Sequence, residues 1–145
     1  VHCLRAFGHL LDLLDAADCP PLGRPFLLHA YGGPGDTLDA FLDRGACVSF
    51  KLHFMADRKA EQRVQFARVP LDRLLVETDA PAMPPVPAWR RHPLTDARGE
   101  PLNHPLNLDA ALEALASLRP EKLDTLQAAT TANSTRLFGT ASGML

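Results

Sequence analysis

Three side chains of metal-ligand type stand far apart in this chain, each at the end of a short apolar run. His2 follows Val1, His29 follows Pro25-Phe26-Leu27-Leu28, and Asp79 closes Leu74-Leu75-Val76-Glu77-Thr78. Imidazole nitrogen and carboxylate oxygen are the ordinary ligands of catalytic Zn²⁺, while Mg²⁺ and Mn²⁺ lean toward the carboxylate. Taken singly, each residue has a plainer reading. A histidine that ends a strand is often a hydrogen-bonded polar cap, and an aspartate before Ala80-Pro81 often accepts a turn hydrogen bond. Together they put ligand chemistry at three strand ends, with too few groups for a closed catalytic site. Further ligands are expected from elsewhere.

The elements that must position these residues alternate between strand and helix. Leu4, Phe7, Leu10, Leu11 and Leu14 carry the i, i+3, i+4, i+7 pattern of an amphipathic helix over 4–17, stopped by Pro20-Pro21-Leu22-Gly23. Residues 25–30 read as a buried parallel strand, apolar on both faces. Asp36 is expected to cap a helix that uses Leu38, Phe41 and Leu42 and ends at Gly45. A second strand is expected over Ala46–Phe50, and a polar helix over Arg58–Arg68 with Val64 and Ala67 inward. A third strand is expected over 71–79, ending at Ala80-Pro81, before a long Pro-rich loop over 80–104; loops of that length in a compact domain are usually functional or mobile. Pro105 opens a helix through Leu108, Leu112 and Leu115, and Pro120 opens another through Leu123, Leu126 and Leu137-Phe138 to Gly139. With Val1-His2 as the stub of a strand there are four β/α units, which implies a parallel sheet wrapped by helices. Periodicity alone leaves both an open doubly wound sheet and half of a barrel standing. In either, functional groups gather where the strands end.

Val1-His2-Cys3, His29-Ala30-Tyr31-Gly32-Gly33 and Pro70-Leu71-Asp72-Arg73-Leu74-Leu75-Val76-Glu77-Thr78-Asp79-Ala80-Pro81 resemble successive signatures of the TatD-like metal-dependent hydrolases. Asn103-His104-Pro105 and Asn133-Ser134-Thr135-Arg136-Leu137-Phe138-Gly139 match further landmarks in the same order. The resemblance covers essentially the whole chain but only the second half of a family barrel. It implies an α/β fold, a parallel (β/α) TIM-type barrel represented by its last four strands, with residues 1–145 forming a single partial domain. It further implies one or two divalent ions (Mg, Mn or Zn), with His2, His29 and Asp79 as metal ligands. Position by position, His2 and His29 resemble the two histidines that hold one ion, and Asp79 resembles the catalytic last-strand carboxylate that holds the other or orients the attacking water. The implied reaction is phosphodiester hydrolysis, with DNA ends or single strands as substrate. The family's His-x-His pair on the first strand and its glutamate on a middle strand would lie before Val1, so about half the ligands are not in this chain. Two alternatives follow: a barrel hydrolase of another ester or amide, or a non-catalytic half-barrel remnant.

Other residues invite plainer readings. Glu77 alternates away from its strand neighbours and reads chiefly as a structural ion-pair partner. His53 and His104 read as loop histidines. Trp89-Arg90-Arg91-His92 is a cation-and-aromatic cluster able to hold a nucleotide, but more simply a surface turn. Lys51, Arg58, Lys59 and Arg63 read as a solvated face. A net charge of -2 argues against a general polyanion-binding surface. No apolar run is long enough to span a membrane. Cys3, Cys19 and Cys47 are widely spaced without a Cys-x-x-Cys, so idle thiols in a reducing, cytoplasmic compartment are expected. Val1 in place of methionine reads as a processed N-terminus or as the interior of a longer protein. An isolated half-barrel would expose two sheet edges and is expected to be soluble only when paired.

Overall fold

The computed structural model of the chain describes residues 1–16 and 25–139. Three parallel strands form its sheet: β1 (Phe26–Leu28), β2 (Ala46–Phe50) and β3 (Leu74–Val76), in the order β1-β2-β3. The register pairs Leu28 with Val48 and Val48 with Leu74, so one apolar row runs straight across the sheet. All five residues of β2 are buried, as a central parallel strand covered on both faces requires. Val1 donates from its amine to the Leu27 carbonyl and accepts from the His29 N–H at 3.0 Å. It thereby pairs with the outer edge of β1 as a parallel neighbour would, in agreement with the expected stub. From Val1 through β3 the order never reverses. Such an order occurs in a barrel and equally within one half of a doubly wound sheet.

Helices follow the strands: α1 (Phe7–Asp15), α2 (Gly35–Asp43), α3 (Ala60–Gln65), α4 (Leu108–Ala116) and α5 (Leu123–Phe138). On α2, Leu38 and Phe41 are fully buried three residues apart, and Gly45 follows the helix at φ +87, a conformation glycine adopts without strain. The core brings Phe41 together with Leu28, Val48, Phe50, Phe54, Phe66 and Leu74, and Ala114, Leu115 and Leu126 close it from the last two helices. Asn133 of α5 donates to the carbonyls of Leu71 and Leu74, both at 2.8 Å, which fixes that helix against the entry to β3.

Several expectations are corrected. Asp36 does not cap α2; Pro34 precedes the helix, and the Asp36 carboxylate accepts from the adjacent Thr37 N–H. Val64 is 58% exposed and Ala67 is exposed, while Phe66 and Val69 are buried. α3 is only six residues long, so helical periodicity does not carry through 66–69. The third strand is shorter than expected because residues 71–73 form a 3-10 turn before it. The Pro-rich stretch is organised by an antiparallel hairpin, β4 (Pro93–Thr95) with β5 (Pro101–Asn103), closed around Asp96 and Gly99. Cys47 is buried and Cys3 half-buried, both as thiols, and Cys19 lies outside the described residues. No helix is long and apolar enough to cross a membrane among the described residues.

Candidate metal centre

Side chains alternate across a sheet. Phe26, Leu28, Ala46, Val48, Phe50, Leu74 and Val76 form the row that packs into the core. The alternate row holds Leu27, Cys47, Ser49 and Leu75, and its next members beyond the strand ends are His29, Lys51 and Glu77. The three strands therefore deliver an imidazole, an ammonium and a carboxylate to one end of one face. The chain then turns sharply: Ala30 and Asp79 both adopt positive φ, at +48 and +60. Non-glycine residues seldom occupy that region, and they do so most often at functional sites.

These turns bring the groups together. His29 Nε2 lies 3.0 Å from Asp79 Oδ1 and 3.1 Å from Glu77 Oε2. One ligand atom from each of the three residues lies within 4.8 Å of the others. Lys51 Nζ donates to the opposite oxygen of Asp79, Oδ2, at 2.5 Å. Glu77 also lines a cavity of about 520 Å³ under the same sheet face, with Leu27, Ser49, Leu75, Leu112 and Ser134.

Burial and charge push the two carboxyls in opposite directions. Burial raises Glu77 above the usual carboxylate range, against the opposing pull of the Ser49 hydroxyl and of His29. Burial also pushes Asp79 up, but the Lys51 ammonium, through hydrogen bond and charge, and His29 more than reverse this and hold it low. Carboxyls pushed apart in this way take different roles at one pH.

The donor set fits a divalent cation. A nitrogen lone pair and two carboxylate oxygens converge, and one proton on Nε2 can be aimed well at only one of the two oxygens. Bonds of about 2.0–2.2 Å to a common ion need ligand atoms within about 4.4 Å of each other, and the two distances from His29 satisfy this. His29 Nδ1 and Glu77 Oε1 are buried without a hydrogen-bond partner. Such orphaned atoms are costly unless a further group answers them.

A second network holds the Asp79 turn. Buried Asn103 donates from Nδ2 to the carbonyls of Thr78 (2.5 Å) and Met83 (3.2 Å), while its Oδ1 accepts from Asn107. Asn107 in turn exchanges hydrogen bonds with the His92 backbone. On the other side, Ser49 Oγ accepts from the Ala30 N–H, pinning the turn after His29.

Of the three residues singled out in the sequence, His29 and Asp79 meet directly. His2 is exposed and stacks on His29, with ring centroids 4.9 Å apart, outside the group whose ligand atoms converge. Glu77 joins the group, in contrast to the chiefly structural role expected of it. The period-two relation of Leu75, Glu77 and Asp79 was the available signal. Lys51 is not on a solvated face; its side chain is 9% exposed. Arg91 pairs with Glu113, Arg90 donates to the Pro85 carbonyl, and Trp89 packs against the core, so that cluster is engaged within the fold. Tyr31 is buried, its hydroxyl donates to the Pro34 carbonyl and is hydrogen-bonded with the Thr37 hydroxyl, and its ring packs against Phe7 and Phe41. His53 lies in a 3-10 turn, where burial, then Lys59 and Lys51, lower its pKa.

The family model described as "TatD related DNase" matches residues 1–139. The chain belongs to this family. It is 38% identical over 113 residues to the metal-dependent hydrolase YcfH of Escherichia coli, a match covering 77% of this chain and 38% of that protein. It is 31% identical over 147 residues to the 3'-5' ssDNA/RNA exonuclease TatD of Citrobacter rodentium, covering 96% of this chain and 50% of the relative. Among solved structures, the TatD homologue YJJV of Escherichia coli superposes with a TM-score of 0.75 at 26% identity, over 96% of this chain and 49% of that one. The chain thus spans about half or less of the curated relatives' length. Membership makes it part of a metal-dependent hydrolase family, in agreement with the resemblance, and its parallel α/β architecture is shared with TatD barrel proteins.

Proposed function

We propose that this chain is the C-terminal half of a (β/α) barrel and supplies part of a divalent-metal site that hydrolyses phosphodiesters, with DNA ends or single strands as substrate. The observation that carries the reading is the convergence of His29, Glu77 and Asp79 at the ends of parallel strands, where barrel enzymes place their chemistry. The names of the exonuclease relatives support the choice of nucleic acid. His29 and Asp79 would hold the ion, with Glu77 as a third ligand from the same sheet face and His2 beside them. When bound, a divalent ion activates water at neutral pH and offsets charge on phosphate oxygens. Asp79, held ionised by Lys51, suits cation binding and the orienting of water.

The test uses a single-stranded oligonucleotide labelled at its 3′ end, with Mn²⁺ or Mg²⁺ added to the protein containing this chain. Hydrolysis that depends on the added ion and falls at least about 100-fold in His29→Ala and Asp79→Ala is the expected result; each about 1.4 kcal/mol of lost transition-state stabilisation is tenfold in rate. Rates unchanged by either substitution would rule the assignment out.

A further inference from the structure

Two segments leave the metal centre side by side. β2 continues through Lys51 into a pair of 3-10 turns, Leu52–Met55 and Asp57–Lys59, and β3 continues through Asp79 into the Pro-rich stretch. They meet where Lys51 Nζ approaches the Met83 sulfur at 3.3 Å. Elsewhere they wall an open cleft of about 790 Å³, with residues 55–58 on one side and residues 86–89 on the other. Small-ligand sites span about 300–1,000 Å³, and the loops that follow strands are where a barrel places its binding groups.

Both walls are held in shape. Arg63 donates to the carbonyls of Phe54 and Met55, each at 3.3 Å. Opposite, the Trp89 N–H donates to the Val86 carbonyl at 2.9 Å and Arg90 donates to the Pro85 carbonyl at 3.3 Å. Pro84, Pro85 and Pro87 fix their own φ angles, so this wall has little freedom left to lose on binding. Trp89 is half-buried, packing against the core and lining the cleft at once. A ring anchored in this way is a rigid platform.

The charge around the cleft suits a phosphate-bearing strand. Arg91 is paired with Glu113, but among the described residues no carboxylate is in ion-pair contact with Arg58 or Lys59. Arg58 is exposed at the rim, and Asp57 beside it is the single carboxylate lining the cleft. His53 stands in the same turn. Burial first, then the charges of Lys59, Lys51 and Arg58, lower its pKa against the opposing Asp79, so the cations outweigh the carboxylate there. An aromatic, apolar wall with free cations at its rim is the combination that holds single-stranded nucleic acid, bases on the ring and phosphates on the cations.

We propose that this cleft is a nucleobase subsite beside the metal centre, in which Trp89 stacks a base of the single strand while Arg58 and Lys59 hold its phosphates. The proposal rests on the nucleic-acid reading above and deepens it by naming where the strand lies.

The experiment uses the protein containing this chain, with Mn²⁺ and a single-stranded phosphorothioate oligonucleotide carrying 5-iodouracil. Irradiation is expected to cross-link the base to Trp89, mapped by mass spectrometry of the peptides. In kinetics on the unmodified oligonucleotide, Trp89→Leu is expected to raise KM about 5- to 150-fold, the worth of one stacked base, and Trp89→Phe to raise it less. Arg58→Gln, at an exposed position, is expected to reduce the slope of log affinity against log salt by about 0.7, one phosphate contact. Cross-links confined to peptides outside 52–59 and 84–90 would overturn the proposal. So would an unchanged salt slope in Arg58→Gln, or a Trp89→Leu effect confined to kcat, which marks structural support. In each of those cases metal-dependent cleavage by the wild type survives, and the nucleic-acid reading with it. A wild type that neither binds nor cleaves the oligonucleotide would remove that reading and this proposal together.

Discussion

His29 Nε2 and Asp79 Oδ1 lie 3.0 Å apart, although they come from the ends of β1 and β3 with β2 between them. Two strand alternations and two left-handed turns, at Ala30 and Asp79, produce that meeting. His2 does not share it and reaches only the ring of His29. His29→Ala is therefore expected to weaken Mn²⁺ binding more than the roughly 10- to 100-fold that loss of a supporting neighbour costs a metal site. His2→Ala is expected to stay within that range. Calorimetric titration of both variants checks the order; equal losses would make His2 a direct ligand.

The opposed carboxyls predict opposed effects of pH on the metal-free protein. Asp79 has its folded pKa lowered, so it adds stability above its unfolded pKa, and that contribution is lost as pH falls through the folded value. Glu77 has its folded pKa raised, so its ionisation costs stability at neutral pH, and the cost is relieved as pH falls through the folded value. In EDTA at pH 7, Glu77→Gln should therefore stabilise the fold and Asp79→Asn destabilise it. Denaturant melts from pH 7 to 3, with carboxyl ¹³C titrations, should find Glu77 protonating first on acidification.

Asn103 is expected to matter to both stability and the site. It is 2% exposed and spans the carbonyls of Thr78 and Met83. Asn103→Ala removes two buried donors and orphans their acceptors, a loss of about 2–3 kcal/mol. Because Thr78 precedes the strained Asp79 turn, Mn²⁺ affinity should fall as well. Arg119→Met supplies the contrast. Arg119 donates to the Phe66 and Val69 carbonyls and pairs with Glu121 away from the strand ends, so stability should drop while metal affinity holds.

Much of this arrangement was legible in the residues. The run Ala46–Phe50 is apolar because both faces of β2 are covered, and the Leu38/Phe41 spacing marks the face of α2 that enters the core. His29 and Asp79 were visible because ligand-type residues ended apolar runs. Glu77 is less legible as a site residue, because its alternation against Val76 and Thr78 fits a structural role and its meeting with His29 requires the strands to pair. Lys51 resembles the cations that follow it in the sequence, since its partner Asp79 is adjacent only after β2 and β3 pair. The hairpin was hidden because each strand is three residues long and begins with proline, a poor strand signal.

Among the described residues β3 pairs only with β2, and a cavity lies beside it. An open edge is a template for pairing. At micromolar concentration the isolated chain should therefore elute as a dimer or larger species, and resist protease only in that form. Size-exclusion chromatography with light scattering, followed by limited proteolysis of each fraction, checks this; a compact, protease-resistant monomer would contradict it.

The central claim is tested most directly by anomalous diffraction from crystals loaded with Mn²⁺. The account predicts a peak bonded to His29 Nε2 and to carboxylate oxygens of Glu77 and Asp79. A peak bonded to none of these three residues, with His29 and Asp79 still joined only to each other, would contradict it.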